Sequence, residues 1–215
     1  MYNLTMDKIF NPDNPVMIVL SRLFDLILLN VCFVIACIPV FTAGPAMAAL
    51  YTVALRMADG EFGDTAKVFF SSFRKNFRDG VILWLILLFS TAFFGTDLYI
   101  VYFVLPAEWA LLQIPVWIML FVVASEIIYV FPLLARYEQS IPQFLKNAVL
   151  LSLANVPLTV FITVIAGVMT DIALHNGSYL VLFFSIFLFI GFALLARIFS
   201  IFFKKTFERA DDKGV

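Results

Sequence analysis

Four apolar runs constrain this chain more than any other feature: Val81 to Leu105, Ala110 to Leu134, Val149 to Leu174 and Tyr179 to Phe203. Each is long enough, at about 1.5 Å per helical residue, to cross a hydrocarbon layer of roughly 30 Å. Successive crossings alternate direction, and the basic residues follow that alternation. The loop from Asp59 to Gly80 carries Lys67, Arg74, Lys75 and Arg78. The loop from Arg136 to Asn147 carries Arg136 and Lys146, and the tail after Phe203 carries Lys204, Lys205, Arg209 and Lys213. These three segments share one face. The opposite connections, Pro106 to Trp109 and His175 to Ser178, carry no lysine or arginine. Basic residues in short loops favour the cytoplasm, so the expected placement is multi-pass in the inner (cytoplasmic) membrane with the carboxyl terminus inside.

Composition agrees with lipid as the solvent. Apolar residues make up 63% and charged residues 13%, against about 45 to 50% and about 25% in ordinary globular proteins. The reading is a single transmembrane domain over residues 1–215, all-α, a polytopic helix bundle. The net charge of −1 is uninformative about partners, whereas its distribution is informative, and no nucleic-acid partner is expected. Cys32 and Cys37, five apart in an apolar run, fall on different helix faces and read as small hydrophobes rather than a disulfide or metal pair.

The first 14 residues hold Lys8 beside Asp7 and Asp13, and the apolar run after them is too long for a signal-peptide core. A helix is expected from Pro15 to about Ile38, before the turn signals Pro39, Gly44 and Pro45. Ala46 to Ala58 then reads as a short helix of small residues, with a rise of about 20 Å, less than the hydrocarbon core. If it crosses by tilt and local thinning, with Arg56 reaching the headgroups, the bundle has six helices; if it dips in or lies flat, five. Six is preferred because the polar groups of the first helix then find better partners.

Arg22, Asp25, Asp97 and Glu126 are the candidate intramembrane polar network. With the amino terminus inside, Arg22 falls about 9 Å and Glu126 about 5 Å to the cytoplasmic side of the midplane. With it outside, Arg22 lies nearer Asp97, about 6 Å towards the outer face. Arg22 and Asp25 can also pair along their own helix. A lone charge at mid-bilayer costs at least about 2.5 kcal/mol, so each is expected to face the bundle or a wet cavity, whether to hold helices in register or to line a pathway.

Residues 64–78 form the clearest amphipathic element. Ala66, Phe69, Phe70, Phe73 and Phe77 recur at helical steps, with Lys67, Ser71, Arg74, Lys75 and Arg78 opposite. Asp64 is placed to cap its start and Gly80 to end it. Such a helix suits the cytoplasmic headgroups or a partner subunit, with Phe69, Phe73, Phe77, Lys67, Arg74, Lys75 and Arg78 as contact residues. A short internal echo accompanies it. Phe73, Lys75 and Asn76 read F-x-K-N, as do Phe144, Lys146 and Asn147, and L-L-A-R occurs at Leu133 to Arg136 and Leu194 to Arg197. The echo suggests hairpin repeats over 64–136 and 140–205, with Pro132 and Pro157 in comparable regions. Proline also kinks helices, an independent reason for either residue.

Catalytic and cofactor patterns are lacking. The single histidine excludes H-E-x-x-H, and there is no P-loop and no G-x-S-x-G. No enzymatic activity, catalytic residue, metal or cofactor is expected.

P-V-F-T-A-G-P at Pro39 to Pro45, A-L-Y-T-V at Ala49 to Val53, F-F-S-S-F-R-K-N-F at Phe69 to Phe77 and Y-V-F-P-L-L-A-R-Y-E at Tyr129 to Glu138 together resemble the YesL family. This is a group of small bacterial integral membrane proteins of unknown function. The resemblance implies a context beside ATP-binding-cassette carbohydrate importers, and carries over no functional residue. The expected function is that of an accessory or modulatory subunit, with the lipid bilayer and permease subunits of such an importer as partners. The alternative is a self-contained small transporter or channel lined by the intramembrane charges.

Overall fold

The computed structural model describes residues 15–175 and 185–211, and among them the protein is helical with no strand. The first helix, α1 (Pro15–Ala36), buries one stripe, Asp25, Leu26, Leu29, Asn30, Cys32 and Phe33, at three- and four-residue steps. Its other sides are open, with Val16, Val19, Phe24 and Ile35 more than half exposed. Both cysteines are free. A single 3-10 turn, Val40–Thr42, follows Pro39. Thr42 directs its hydroxyl between the carbonyls of Ala36 and Pro39, 2.6 Å from each, and so closes the end of α1.

The short segment becomes α2 (Ala43–Ala58), longer by three residues than expected because Pro45 falls in the first turn, where its missing N–H has no intrahelical role. It is the centre of the molecule and packs against α1, α3 (Thr65–Lys75), α4 (Phe77–Phe103), α5 (Gln113–Arg136) and α8 (Phe192–Asp211). Gly44, Ala46, Ala48, Ala49 and Ala54 are all buried. Small side chains allow five neighbours to approach one helix, the same logic that governs helix contacts in membranes.

Two breaks depart from the expected runs. Gly80 does not end the amphipathic helix: α3 stops at Lys75, and the chain resumes as α4 at Phe77. The Asn76 N–H donates to the Ser72 carbonyl (2.9 Å), its amide donates to Ser72 Oγ (3.2 Å), and its carbonyl accepts from Gly80 N (2.8 Å). Val149 to Leu174 is likewise not one helix but α6 (Ile141–Ala154) and α7 (Val156–His175), with a 97° bend between α6 and the start of α7. Pro157 accounts for it, since a proline inside a continuing helix would lack its hydrogen bond and clash with the preceding turn. Asn155 closes α6 through its N–H and side-chain amide on the Leu151 carbonyl (both 3.0 Å), and its own carbonyl accepts from Thr159 N (3.0 Å). The F-x-K-N echo aligns Asn76 with Asn147, but the geometric counterpart of Asn76 is Asn155. Ser140 and Gln143 form a capping box that starts α6.

The last run enters α8 through a π-helical turn, Phe187–Gly191. The expected outer turn at residues 176–178, the start of that run from Tyr179, and Lys213 lie outside the described residues.

Among the described residues, five helical segments are long and apolar enough to cross a membrane: Pro15–Ala36, Val40–Ala58, Phe77–Phe103, Gln113–Arg136 and Phe187–Lys204. Counting the bent pair α6–α7 as one span gives six. The chain is an all-α polytopic bundle whose surroundings are lipid. Its packing is lopsided. The buried residues of α4 are Gly80, Leu83 and Leu87, all near its start, and those of α5 run from Val123 to Leu134, in its second half. The far halves, with the 3-10 turn Ala107–Leu112 that joins them, present Phe89, Phe93, Tyr99, Tyr102, Phe103, Trp109 and Trp117 outward. Apolar surface of this extent is stable only against lipid or another protein, and the Trp and Tyr cluster fits the depth of a headgroup boundary.

Candidate functional site

The carboxylate of Asp25 lies against the loop between α2 and α3. Its Oδ1 accepts from Thr65 Oγ1 at 2.9 Å and its Oδ2 from Gly63 N at 3.3 Å. Asp64, expected to cap α3, makes no side-chain cap; its φ of 51° turns the chain instead. A carboxylate from α1 therefore sits at the amino terminus of α3, where the helix dipole favours negative charge. Arg22 lies over the Phe62 ring (4.8 Å to the centroid), and Arg197 of α8 also lies over it (4.9 Å). This clasp joins α1, α8 and the loop. Arg197 enters the sequence reading only through the L-L-A-R echo and Phe62 not at all, because nothing local places either beside Arg22.

The four intramembrane charges do not meet: no ion pair joins any two of Arg22, Asp25, Asp97 and Glu126. Asp97 belongs to the far half of α4 and Glu126 to α5, both half-buried. A fully buried polar residue of the first helix outside that network, Asn30, is better connected. Its Nδ2 donates to the carbonyls of Phe187 and Leu188 (2.9 and 2.8 Å), and its Oδ1 accepts from Ala193 N (3.0 Å). A π turn leaves backbone groups without their usual partners, and Asn30 supplies them.

Residues of the amphipathic helix separate into three directions. Phe69 is buried against α2, Phe73 is half-buried, and Phe70 and Phe77 are exposed, Phe77 as the first residue of α4. Lys67, Arg74, Lys75 and Arg78 are exposed. The helix is thus docked on the bundle and still shows an apolar flank.

Between α2, α3 and the end of α5 lies a cleft of about 450 Å³. Arg56, Lys67, Lys75 and Arg136 line it together with a single carboxylate, Asp64. Two acids at its rim reduce the excess: Glu61 pairs with Arg56 (2.9 Å) and Glu138 with Lys75 (2.6 Å). Lys75 holds the Glu138 carboxyl below the ordinary glutamate range through that hydrogen bond and its charge. Arg136 stacks over Tyr137 and Phe207 (5.6 and 5.4 Å). Thr52, Ser72 and Asn76 also line the cleft and form one directed chain. Thr52 gives its only hydroxyl proton to the Ala48 carbonyl (2.9 Å), so Ser72 donates to Thr52 (2.7 Å) and receives from Asn76. Among the described residues no group of three or more metal-ligating side chains comes together.

No curated protein and no solved structure matches the chain. Residues 26–98, from the middle of α1 through α2 and α3 to the far half of α4, match the family described as "Protein of unknown function, DUF624", and to that family the chain is similar over those residues.

Proposed function

We propose that this chain is an accessory or modulatory membrane subunit, of the YesL type, that works beside an ATP-binding-cassette carbohydrate importer in the cytoplasmic membrane. The observation that carries this reading is the separation of Arg22, Asp25, Asp97 and Glu126, which leaves a conduit through the chain itself without a shared polar lining. Asp25 and Arg22 are engaged by the α2–α3 loop, where they fasten helices rather than line a path. The exposed Phe70 and Phe77, with the loop from Arg136 to Asn147, offer the contact surface at the basic end. The YesL assignment draws support from position: the motifs at Pro39 to Pro45, Ala49 to Val53 and Phe69 to Phe77 all fall within the matched residues 26–98. The importer context comes from the resemblance alone.

Co-purification in mild detergent tests the proposal. Recovery of permease subunits with the native chain, reduced by Phe70→Glu with Phe77→Glu, is the expected result. Absence of permease subunits under conditions that keep known subunits together contradicts it. Saturable solute flux in vesicles holding this chain alone would favour a self-contained transporter instead.

A further inference from the structure

The cleft between α2, α3 and the end of α5 has features of a ligand site; it shares with the partner surface proposed above only the start of the loop from Arg136, and Phe70 and Phe77 lie outside its lining. Its volume, about 450 Å³, falls within the roughly 300 to 1,000 Å³ typical of small-molecule sites. Four cationic side chains from three helices, Arg56, Lys67, Lys75 and Arg136, converge on it against one lining carboxylate, Asp64. Lys67 has no ion pair among the described residues. The cations of Arg56 and Lys75 are held by Glu61 and Glu138, whose side chains are 60% and 80% exposed. Exposed pairs of this kind separate at little cost, so an anion with more acceptor oxygens can displace them. The floor is polar: Ser72 is buried, and Asn76 has a second amide N–H beyond the one donated to Ser72.

We infer that this cleft binds a phosphate-bearing group of small-molecule size, with Lys67 and Lys75 as its principal contacts and Glu138 as an internal competitor for Lys75. Phosphate matches the donor set better than a planar carboxylate does, since the tetrahedral oxygens of a monoester, or the non-bridging oxygens of a diester together with its headgroup hydroxyls, can engage ammonium, guanidinium and amide groups from different helices at once. The cleft lies at the basic end of the bundle, beside the exposed Phe70 and Phe77. The group is therefore either the headgroup of an anionic phospholipid or a phosphorylated solute of the cytosol.

The test uses the full chain in nanodiscs of phosphatidylcholine, titrated with glycerol 3-phosphate, and repeats the titration in discs containing phosphatidylglycerol. Saturable binding is expected, weakened about tenfold or more by Lys67→Gln with Lys75→Gln, the scale of losing charge-assisted hydrogen bonds. Glu138→Gln is expected to tighten binding, the opposite sign, which a misfolded variant cannot produce. Unchanged affinity in phosphatidylglycerol discs assigns the site to a soluble ligand, and competition by that lipid assigns it to a headgroup. Either result supports a phosphate site. No saturable binding in phosphatidylcholine discs together with no retention of phosphatidylglycerol by native mass spectrometry overturns it, as does binding that both lysine replacements leave unchanged.

Discussion

Gly44 and Gly80 bring α2 and α4 together backbone to backbone. A methyl carbon added to Gly80 meets Pro45 N at 2.7 Å and Pro45 Cα at 2.8 Å, and one added to Gly44 meets Trp84 Cβ at 2.7 Å as well as the Gly80 backbone. Rigid backbone on both sides means that neither helix can relieve the overlap by a rotamer change. Gly80→Ala is expected to destabilise the bundle by about 1 to 3 kcal/mol, the range for overpacking. At about 2 to 4 °C per kcal/mol for a chain of this size, thermal unfolding in detergent resolves that loss. Gly95→Ala on the same helix is the control, because nothing lies within 4 Å of its added carbon. It is expected to be neutral or slightly stabilising.

Asp25 is predicted to stabilise the α2–α3 loop rather than to carry protons. Asp25→Ala leaves the Thr65 hydroxyl and the Gly63 N–H without their acceptor, at a cost of about 1 to 3 kcal/mol. Asp25→Asn keeps one acceptor oxygen and is expected to lose less. Hydrogen exchange at the Gly63 amide reads the effect locally, and equal protection of it in native and Asp25→Ala protein would refute it.

Asn30 and the π turn of α8 form a second such joint. Asn30→Leu, similar in size, removes the donor to Phe187 and Leu188 and the acceptor for Ala193 together. The expected result is faster hydrogen exchange at Ala193 and a lower unfolding midpoint, by several degrees. If the π turn instead reverts to regular α-helix with no loss of stability, Asn30 is not what holds it.

The Glu138–Lys75 pair has a defined acid limit. Because Lys75 depresses the Glu138 pKa, the contribution of the pair is fully present above the ordinary glutamate value of about 4.3 and is lost as pH falls through the lower folded value. NMR titration of a Glu138 side-chain label is expected to show a midpoint below that of the same label in Lys75→Gln. Coincident midpoints would exclude the pair in solution.

The amino-acid sequence reveals the spans well because lipid imposes length and composition at once. The run from Val81 and the one from Ala110 became α4 and α5 with ends shifted by a few residues. The breaks were less legible. Val149 to Leu174 reads as continuous by hydropathy, and only Pro157 with Asn155 before it signals the 97° turn. Asp64 was the obvious cap for α3 but makes no cap bond, whereas Asp25, distant in sequence, holds the Gly63 N–H and the Thr65 hydroxyl beside that helix start; only tertiary contact reveals such a partner. The cleft shares this property, since Arg56, Lys75 and Arg136 come from three helices whose packing no local pattern specifies. Asp25 and Arg22 are polar residues in an apolar run that the structure ties to the α2–α3 loop. Asn30 and Arg197 carry the same signal, yet their partners, the π turn and the Phe62 ring, are fixed only by tertiary packing.

We propose that the packed, basic end of this lipid-embedded bundle faces the cytoplasm while the bare halves of α4 and α5 reach the other side. Replacing Cys32 and Cys37 by Ala and then adding one cysteine at a time, Lys75→Cys or Leu111→Cys, allows a direct test with a membrane-impermeant maleimide. Both sites are well exposed on the protein itself. Labelling of the Leu111→Cys protein in intact cells, and of the Lys75→Cys protein only after permeabilisation, is the predicted result. Labelling of Lys75→Cys in intact cells, or equal labelling of both before and after permeabilisation, would contradict the account.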